Sequence, residues 1–280
     1  MVHYDIRVIE VGYTDSFPAD FTFDGYCMAG ETMFSPFCMT LIQGGGKNIL
    51  VDCGIDLSNP GKQGIYEAAG AENGHTPGEA LAAVGLAPED IDAVIITHLH
   101  WDHVGGAACY PGAVFYLQKE ELDRWTEVAQ DHNFRTLSLL SMDYGDLATL
   151  KELEDQGRLV LLDGEKDDLF PGISIRVSLF AHSFAQQMVL VENDPGIYII
   201  AGDVCNRPEN LIGTDEFAFF LPNPKFAVGG AYNAIKDYKR IMGWMEGDIG
   251  KVVMTHDGTR RSRYPGTEVR PGLAVYDICT

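Results

Sequence analysis

Residues 97–106 read Thr97-His-Leu-His-Trp-Asp-His-Val-Gly-Gly106, which places three histidines and an aspartate within six positions. The apolar run just before them, Ile91–Thr97, is dense in β-branched residues and predicts a buried strand. Side chains alternate along an extended segment, so His98 and His100 should point the same way. Asp102 and His103 follow the turn and can reach a second position nearby. The two glycines allow the next helix to pack closely below the site.

Imidazole nitrogens and carboxylate oxygens are the ligands that bind Zn²⁺, Mn²⁺ or Fe²⁺. A single histidine at the end of a strand is more often a hydrogen-bonded core residue than a ligand. Four such side chains in six positions would repel one another or need buried partners, and this favours a metal site.

Three more candidates lie elsewhere in the chain, and each follows an apolar run. His182, Asp203 and His256 come after Ile173–Phe180, Ile197–Gly202 and Lys251–Thr255, respectively. Each could be an ordinary loop residue if taken alone. Because loops at strand ends commonly carry active sites, we expect all three to converge on the first cluster. Five of the eight histidines are then accounted for.

The remaining pattern predicts a single domain over residues 1–280, because no internal repeat or linker interrupts it. Cys38–Ile42 and Asn48–Asp52 flank a glycine-rich hairpin, and Thr76–Val84 has the capping residues of a helix. Further helical patterns cover Leu117–Gln156 and Ala231–Glu246, and further strands Leu159–Leu162, Ile173–Phe180, Ile197–Ala201 and Lys251–Thr255. Strands in both halves with helical blocks between them predict sheets sandwiched by helices.

The charge and cysteine content of the chain narrow the range of possible partners and locations. Twenty basic against 41 acidic residues give a net charge of −21, which disfavours nucleic acid and anionic membranes as partners and suits a small-molecule substrate. There is no apolar run long enough to span a membrane and no secretory signal. The six scattered cysteines form no CxxC pair, which indicates reduced thiols and a cytoplasmic protein. The sequence is compatible with a homodimer.

The segment THLHWDH at residues 97–103 resembles the HxHxDH signature of the metallo-β-lactamase superfamily, and Val51–Gly54 is similar to its upstream (V/I)DxG segment. Within that superfamily the chain most resembles the N-acyl-homoserine lactonase-like branch. Ala181–Gln187 is similar to the GHSPGHQ segment of that branch, Ile200–Asn206 to its strand ending in DxxY, and Thr255–Asp257 to its final GHD. The resemblance extends from about Met39 to Asp257.

The resemblance implies a four-layer αββα sandwich that holds two divalent metal ions, with Zn²⁺ favoured and Mn²⁺ or Fe²⁺ as alternatives. By this comparison, one metal is held by His98, His100 and His182, the other by Asp102, His103 and His256, and Asp203 bridges both. Asp52 would support the metal loop from behind.

The chain departs from the lactonase pattern at the position three residues after Asp203. Asn206 stands where the lactonases have a tyrosine; its amide could hydrogen-bond to the substrate but could not act as an acid. Gln186 and Phe184-Ala185 replace the second histidine and the Pro-Gly turn. Four arginines follow His256, namely Arg260, Arg261, Arg263 and Arg270. They are candidates to bind a carboxylate or phosphate of the substrate, and the alternative is pairing with acidic surface residues.

Two adjacent metals would generate a bridging hydroxide that attacks a carbonyl carbon, with Asp102 as the proton acceptor and shuttle. The expected reaction is the opening of a lactone or related cyclic ester. Hydrolysis of a cyclic amide or thioester is the main alternative; a small phosphoester, or a metal-binding sensor without turnover, is less favoured. The helical block at residues 117–156 could form a substrate cap. Trp101, Tyr26, Phe34 and Phe37 could line an apolar pocket or belong to the core.

Overall fold

The computed structural model describes residues 2–23, 30–138, 141–194, 196–214, 218–222 and 229–280. The strands are β1 Asp5–Pro18, β2 Thr32–Gly44, β3 Lys47–Val51, β4 Ala93–Ile95, β5 Val114–Gln118, β6 Leu159–Leu162, β7 Lys166–Phe170, β8 Ile173–Leu179, β9 Ala185–Asn193, β10 Gly196–Ile200, β11 Val252–Val253, β12 Gly266–Arg270 and β13 Leu273–Cys279. The α-helices are α1 Ala19–Thr22, α2 Pro60–Ala68, α3 Pro77–Ala82, α4 Trp101–Val104, α5 Lys119–Gln130, α6 Arg135–Ser138, α7 Tyr144–Asp155, α8 Pro208–Ile212, α9 Ala231–Trp244 and α10 Arg260–Arg263.

Two mixed sheets organise the described part of the chain. The eight-stranded sheet has the order β12-β13-β1-β2-β3-β4-β5-β6, and the five-stranded sheet has the order β11-β10-β9-β8-β7. Strands β3 to β6 run parallel to one another, and β10 runs parallel to β11. The carboxyl ends of parallel strands meet at one edge of a sheet, so loops that follow β4 and β10 can gather side chains there.

Three hydrophobic layers separate the sheets from each other and from the helices. Alternation along β4 shows the division: Val94 packs with the helices α3, α5 and α7, whereas Ala93 and Ile95 pack against the second sheet. On the far side of the second sheet, Tyr238 and Ile241 of α9 cover its outer face. Burial of each large aliphatic side chain, such as Val94, Ile95 or Ile241, contributes about 1.5–3 kcal/mol to folding. The predicted αββα sandwich is therefore confirmed.

Local signals in the sequence mark several elements correctly. The predicted hairpin is the antiparallel pair β2 and β3, whose turn contains Gly45 and Gly46 with φ values of +59° and +75°. Helix α3 begins with a capping box: the backbone N–H of Glu79 donates to the Thr76 hydroxyl (3.3 Å), and the backbone N–H of Thr76 donates to the Glu79 carboxylate (3.0 Å). Strand β6 has the predicted limits.

Other limits differ from the prediction. Leu117 and Gln118 belong to strand β5, because they pair with β6, and the helical block begins only at Lys119. The strand expected over residues 251–255 is reduced to Val252–Val253, and that over residues 91–97 to Ala93–Ile95.

Five cysteines, Cys38, Cys53, Cys109, Cys205 and Cys279, are free thiols, whereas Cys27 and Tyr26 lie outside the described residues. Among the helices that the structure describes, none combines the length and the apolar character that crossing a bilayer requires.

Candidate metal centre

The predicted metal-binding side chains lie at one edge of the sandwich, where strands from both sheets end. His98 and His100 lie in the loop between β4 and α4, and Asp102 and His103 lie in the first turns of α4. On the opposite sheet, three more side chains follow three separate strands: His182 after β8, Asp203 after β10 and His256 after β11. The predicted convergence of distant loops is therefore observed.

The converging side chains form two adjacent donor groups. We call His98, His100, His182 and Asp203 the first donor group, and Asp102, His103 and His256 the second donor group. Within each group the potential ligand atoms all lie within 4.8 Å of one another. As the alternation of side chains predicts, the rings of His98 and His100 lie on the same side, with centroids 4.3 Å apart.

Asp203 faces both groups. Its Oδ2 lies 3.5 Å from Nε2 of His182 in the first group and 3.1 Å from Nε2 of His256 in the second. Its Oδ1 lies 3.3 Å from Nε2 of His103. A carboxylate in this position can contribute one oxygen to each of two cations.

Hydrogen bonds behind the histidines determine which ring nitrogen faces the centre. The Thr97 hydroxyl donates to Asp52 Oδ2 (2.9 Å) and lies 3.0 Å from Nδ1 of His98, so this nitrogen carries the proton and donates. Nδ1 of His103 likewise donates to Asp52 (2.7 Å), and Nδ1 of His256 to the carbonyl oxygen of Pro36 (2.8 Å). In all three rings Nδ1 is thus engaged from behind and Nε2 is the nitrogen that faces the centre, as outer hydrogen bonds to metal-ligating histidines commonly arrange.

Protonation in the first donor group also suits metal binding. Burial, reinforced by neighbouring histidines, lowers the pKa of His98 and of His100 well below the usual value. Burial lowers the pKa of His182 to about 4. Neutral imidazole is the form that coordinates a metal.

The donor set fits divalent cations. Among the described residues, Nε2 of His98 and Nε2 of His100 have no hydrogen-bond partner although both atoms are buried. An unpaired buried polar atom costs about 1–3 kcal/mol, and a cation between the rings would remove this cost. Histidine nitrogens combined with carboxylate oxygens are the ligands that Zn²⁺ takes in catalytic sites.

Comparisons with known proteins agree with this geometry. Residues 39–173 match the family model described as the Metallo-beta-lactamase superfamily. The matched segment, just under half of the chain, is similar to that superfamily. It includes the Asp52 loop and the whole HxHxDH segment, whereas His182, Asp203 and His256 lie beyond the match.

Individual relatives match different shares of the chain. A probable metallo-hydrolase of Methanocaldococcus jannaschii is 31% identical over 26% of this chain and 45% of its own length. An N-acyl homoserine lactonase of Bacillus cereus is 25% identical over 61% of this chain and 65% of its own. The chain thus matches less than two thirds of the length of either relative. The solved structure of an N-acyl homoserine lactone hydrolase with the product N-hexanoyl-L-homoserine superimposes with a TM-score of 0.69 at 20% identity, covering 94% of this chain and 96% of that one.

These matches confirm the predicted fold and the predicted resemblance to the lactonases. In this fold, Asp52 occupies the position that the sequence predicts behind the metal loop: it is 3% exposed and bonds both Thr97 and His103.

The structure corrects the interpretation of two arginines. Arg260 is 1% exposed, and its guanidinium group donates to Glu10 (2.6 Å) and to the carbonyl oxygens of Met254 and Thr255. It therefore supports the loop that carries His256 and is not available to a substrate.

Arg263 is similarly engaged by Asp257 (2.5 Å) and by the carbonyl oxygen of Ile249 (2.7 Å). Arg261 is exposed and lines a cavity of about 200 Å³ together with Tyr13, Phe34 and Gly258. Gly258 lies two residues after His256. Of the three adjacent arginines, Arg261 is thus the one that can meet a ligand.

Asn206 is buried in the turn that follows Asp203. Its backbone N–H and that of Arg207 both donate to the side chain of Asn210 (2.9 Å each). Arg207 in turn donates to the carbonyl oxygen of Phe34 (2.8 Å) and lies 3.5 Å from that of His256. The role of Arg207 was not predicted, because its contacts span 173 and 49 residues and leave no local pattern.

Aromatic rings flank both donor groups. The rings of Trp101 and Phe37 pack at a tilt with centroids 5.3 Å apart, and Phe37 meets the ring of His256 edge-on at 5.9 Å. Trp125 lies edge-on to His100 at 5.9 Å. Trp101 and Phe37 are 5% and 4% exposed, so most of their surface belongs to the core and only their edges approach the centre.

Proposed function

We propose that the chain is a dinuclear metal-dependent hydrolase that opens a lactone or a related cyclic ester. The observation that carries the proposal is the adjacency of the two donor groups, with Asp203 facing both. The first donor group would hold one metal and the second the other, with Asp203 shared. Zn²⁺ is the favoured ion for histidine and carboxylate ligands, and Mn²⁺ and Fe²⁺ are the alternatives.

Two divalent cations held here supply Lewis acidity, which lowers the pKa of water and polarises a carbonyl oxygen. The chain's own residues orient this chemistry. The Asp52–Thr97–His98 hydrogen bonds and the Asp52–His103 hydrogen bond keep two rings in one tautomer and one orientation. Burial of both donor groups excludes bulk water and strengthens every electrostatic interaction inside.

Asp102 is the proposed proton carrier. Its Oδ2 lies 3.4 Å from Nε2 of His103 and 3.5 Å from Nε2 of His256. At 8% exposed, it is the most accessible of the three carboxylates Asp52, Asp102 and Asp203. It accepts a proton from water as the carbonyl carbon is attacked and returns that proton to the oxygen that leaves when the ring opens.

Two substrate contacts are proposed, one after β10 of the second sheet and one in a cavity beside the first sheet. Asn206, three residues after Asp203, would donate its amide to the carbonyl or the leaving oxygen. Arg261 would bind a carboxylate or another anionic group, because its guanidinium is exposed in the cavity beside Phe34.

The chain is proposed to act as one domain, with the helices of residues 117–156 as a cap. Two contacts favour this role. The ring of Trp125 in α5 packs edge-on against that of His100, and the backbone N–H of Trp101 donates to the carbonyl oxygen of Ser141 (3.0 Å). The cytoplasmic location and the small-molecule substrate stay predictions. A homodimer stays possible by the same prediction.

The test is a substrate screen with protein that has been stripped of metal and reloaded with Zn²⁺. The panel contains N-acyl-homoserine lactones, simple lactones, cyclic amides, thioesters and small phosphodiesters, and acid release is followed by titration. We expect lactones to be opened fastest. Hydrolysis confined to amides, thioesters or phosphodiesters would replace the proposed substrate class, and two bound metals without any turnover would indicate a sensor.

An Asp102→Asn variant tests the mechanism. General acid–base catalysis contributes about 10²–10⁴-fold, so we expect a loss of that size with unchanged circular dichroism. Turnover equal to that of the wild type would remove Asp102 from the mechanism.

A further inference from the structure

A fully buried carboxylate lies directly behind the first donor group. Glu121 of α5 is 0% exposed. It shares the buried face of this helix with Trp125 and Val128, at spacings of four and seven residues. An acidic residue in the apolar stripe of an amphipathic helix needs compensating partners, because burial of an unpaired charge is costly.

Four hydrogen-bond donors converge on Glu121. Its Oε1 accepts from the N–H of Leu99 (3.1 Å), the indole N–H of Trp125 (2.9 Å) and the hydroxyl of Ser183 (2.5 Å). Its Oε2 accepts from the N–H of Ala185 (2.7 Å). A carboxylate is an acceptor only and has about four lone-pair sites, so these donors use its capacity.

Two of the four donors, Leu99 and Ser183, belong to the two loops that carry the histidines of the first donor group, whereas Ala185 begins β9 and Trp125 lies on α5 itself. Leu99 lies between His98 and His100, and Ser183 follows His182. These loops come from different sheets. In this way one side chain joins both loops at a single point.

The charge of Glu121 is suited to this position as well. Four carboxylates around the two donor groups, those of Asp52, Asp102, Asp203 and Glu121, are buried. When ionised, these four carboxylates carry a total charge of −4, which balances the +4 of two divalent cations.

We propose that Glu121 is a positioning residue for the first metal, an inference that rests on the proposed metal centre. It holds the His98–His100 loop and the His182 loop at a fixed separation and adds buried negative charge behind them. Glu121 itself ligates neither metal and contacts no substrate.

The experiment measures the two Zn²⁺ affinities by chelator competition in the wild type, in Glu121→Gln and in Glu120→Gln. Glutamine keeps the shape of the side chain but removes the charge and turns an NH₂ group toward donors. Glu120 is the matched control, since it is one residue away, is 43% exposed and pairs only with Arg124 of its own helix in the contacts described. Loss of an outer hydrogen-bond partner typically weakens metal binding by about 10–100-fold.

In Glu121→Gln we expect one Zn²⁺ affinity to fall by about 10–100-fold, the other to stay within about twofold, and Glu120→Gln to match the wild type. The rise in melting temperature on adding Zn²⁺ should shrink accordingly. A merely structural Glu121 would lower the stability of metal-free and Zn²⁺-loaded protein equally and leave both affinities unchanged, and this result would overturn the proposal.

A second variant covers the case in which Glu121→Gln does not fold. Ser183→Ala removes one donor and keeps the carboxylate, and we expect about a tenfold weaker affinity at one site. Unchanged affinities in this variant would also overturn the proposal. A wild-type protein that binds fewer than two Zn²⁺ would instead contradict the proposed function.

Discussion

Nδ1 of His103 lies 2.7 Å from Oδ2 of Asp52, although 51 residues separate them in the chain. The same carboxylate accepts the backbone N–H and the hydroxyl of Thr97 (2.7 and 2.9 Å). Asp52 has a φ of +62°, a left-handed conformation that aspartate and asparagine adopt more readily than most residues. One aspartate thus supports ligands of both donor groups, His103 directly and His98 through Thr97.

Asp52→Asn tests this support without straining the backbone. Asparagine carries no charge, and only its carbonyl oxygen accepts hydrogen bonds, since its NH₂ group is a donor. The rings of His103 and His98 therefore lose their fixed orientation. We expect Zn²⁺ affinity to fall by about 10–100-fold, measured by competition with a chromogenic chelator. Asp123→Asn, at an exposed pair with Lys119, is the control. Affinities that do not change would show that Asp52 has no role in metal binding.

Gly106→Ala should destabilise the folded protein, because Gly106 packs closely against the Cys53 backbone beneath the His98–His103 segment. A Cβ atom at this position would lie 2.1 Å from the carbonyl oxygen of Cys53, and the adjacent N–H of Cys53 donates to the carbonyl oxygen of His103. Such overpacking costs about 1–3 kcal/mol in unfolding free energy, which urea denaturation measures.

Gly64→Ala is the matched control for this substitution. Gly64 lies in α2 with nothing within 4 Å of a Cβ, so alanine should stabilise the helix by about 0.5–1 kcal/mol. If both variants were equally stable, the close approach at Gly106 would not constrain the loop.

Arg260 and Arg261 are neighbours in sequence with opposite expected effects. Arg260→Met leaves Glu10 and two carbonyl oxygens without their buried partner, and we expect a loss of about 3–5 kcal/mol in unfolding free energy. Arg261→Met should change stability by no more than about 0.5 kcal/mol, because the side chain is exposed.

Steady-state kinetics separate the two arginines further. For a substrate that carries a carboxylate, Arg261→Met should raise KM and leave kcat within about twofold, as loss of uniform binding does. An unchanged KM for every anionic substrate would leave Arg261 as an ordinary surface residue.

Lys62→Met should make stability depend more steeply on pH. Lys62 and Asp146, 8% and 2% exposed at their side chains, form a buried ion pair between α2 and α7. Burial raises the pKa of Asp146 to about 6, although Lys62 lowers it. An acid whose pKa is higher in the folded than in the unfolded protein loses stability as pH rises between the two values, here from about 4 to about 6.

Without Lys62 the folded pKa of Asp146 rises further, so the loss continues to higher pH. We expect Lys62→Met to cost about 3–5 kcal/mol at pH 8 and clearly less at pH 5, where Asp146 is protonated. Lys151→Met, at an exposed pair with Glu154, should show neither effect. Equal losses at pH 5 and pH 8 would contradict the assignment to Asp146.

Much of the candidate site could be predicted from sequence because its signals are local. The HxHxDH spacing predicts which side chains share a side of the loop, and the observed pair His98 and His100 follows from alternation alone. Thr76 and Pro77 predict a helix start in the same way. Glu121 also left a usable signal, an acid at helical spacing from Trp125, which the sequence analysis did not exploit.

Residues 97–103 by themselves carry the resemblance to the superfamily and predict the chemical nature of the candidate ligands and their division between two positions, since these properties depend on residue types and short spacings. The tertiary structure alone decided that Arg260 faces the interior while Arg261 faces a cavity, and that Glu121 joins two loops from different sheets. The physical reason is that these contacts link residues as far as 250 positions apart. Their partners are set by how two sheets pack face to face, and no local periodicity records that packing.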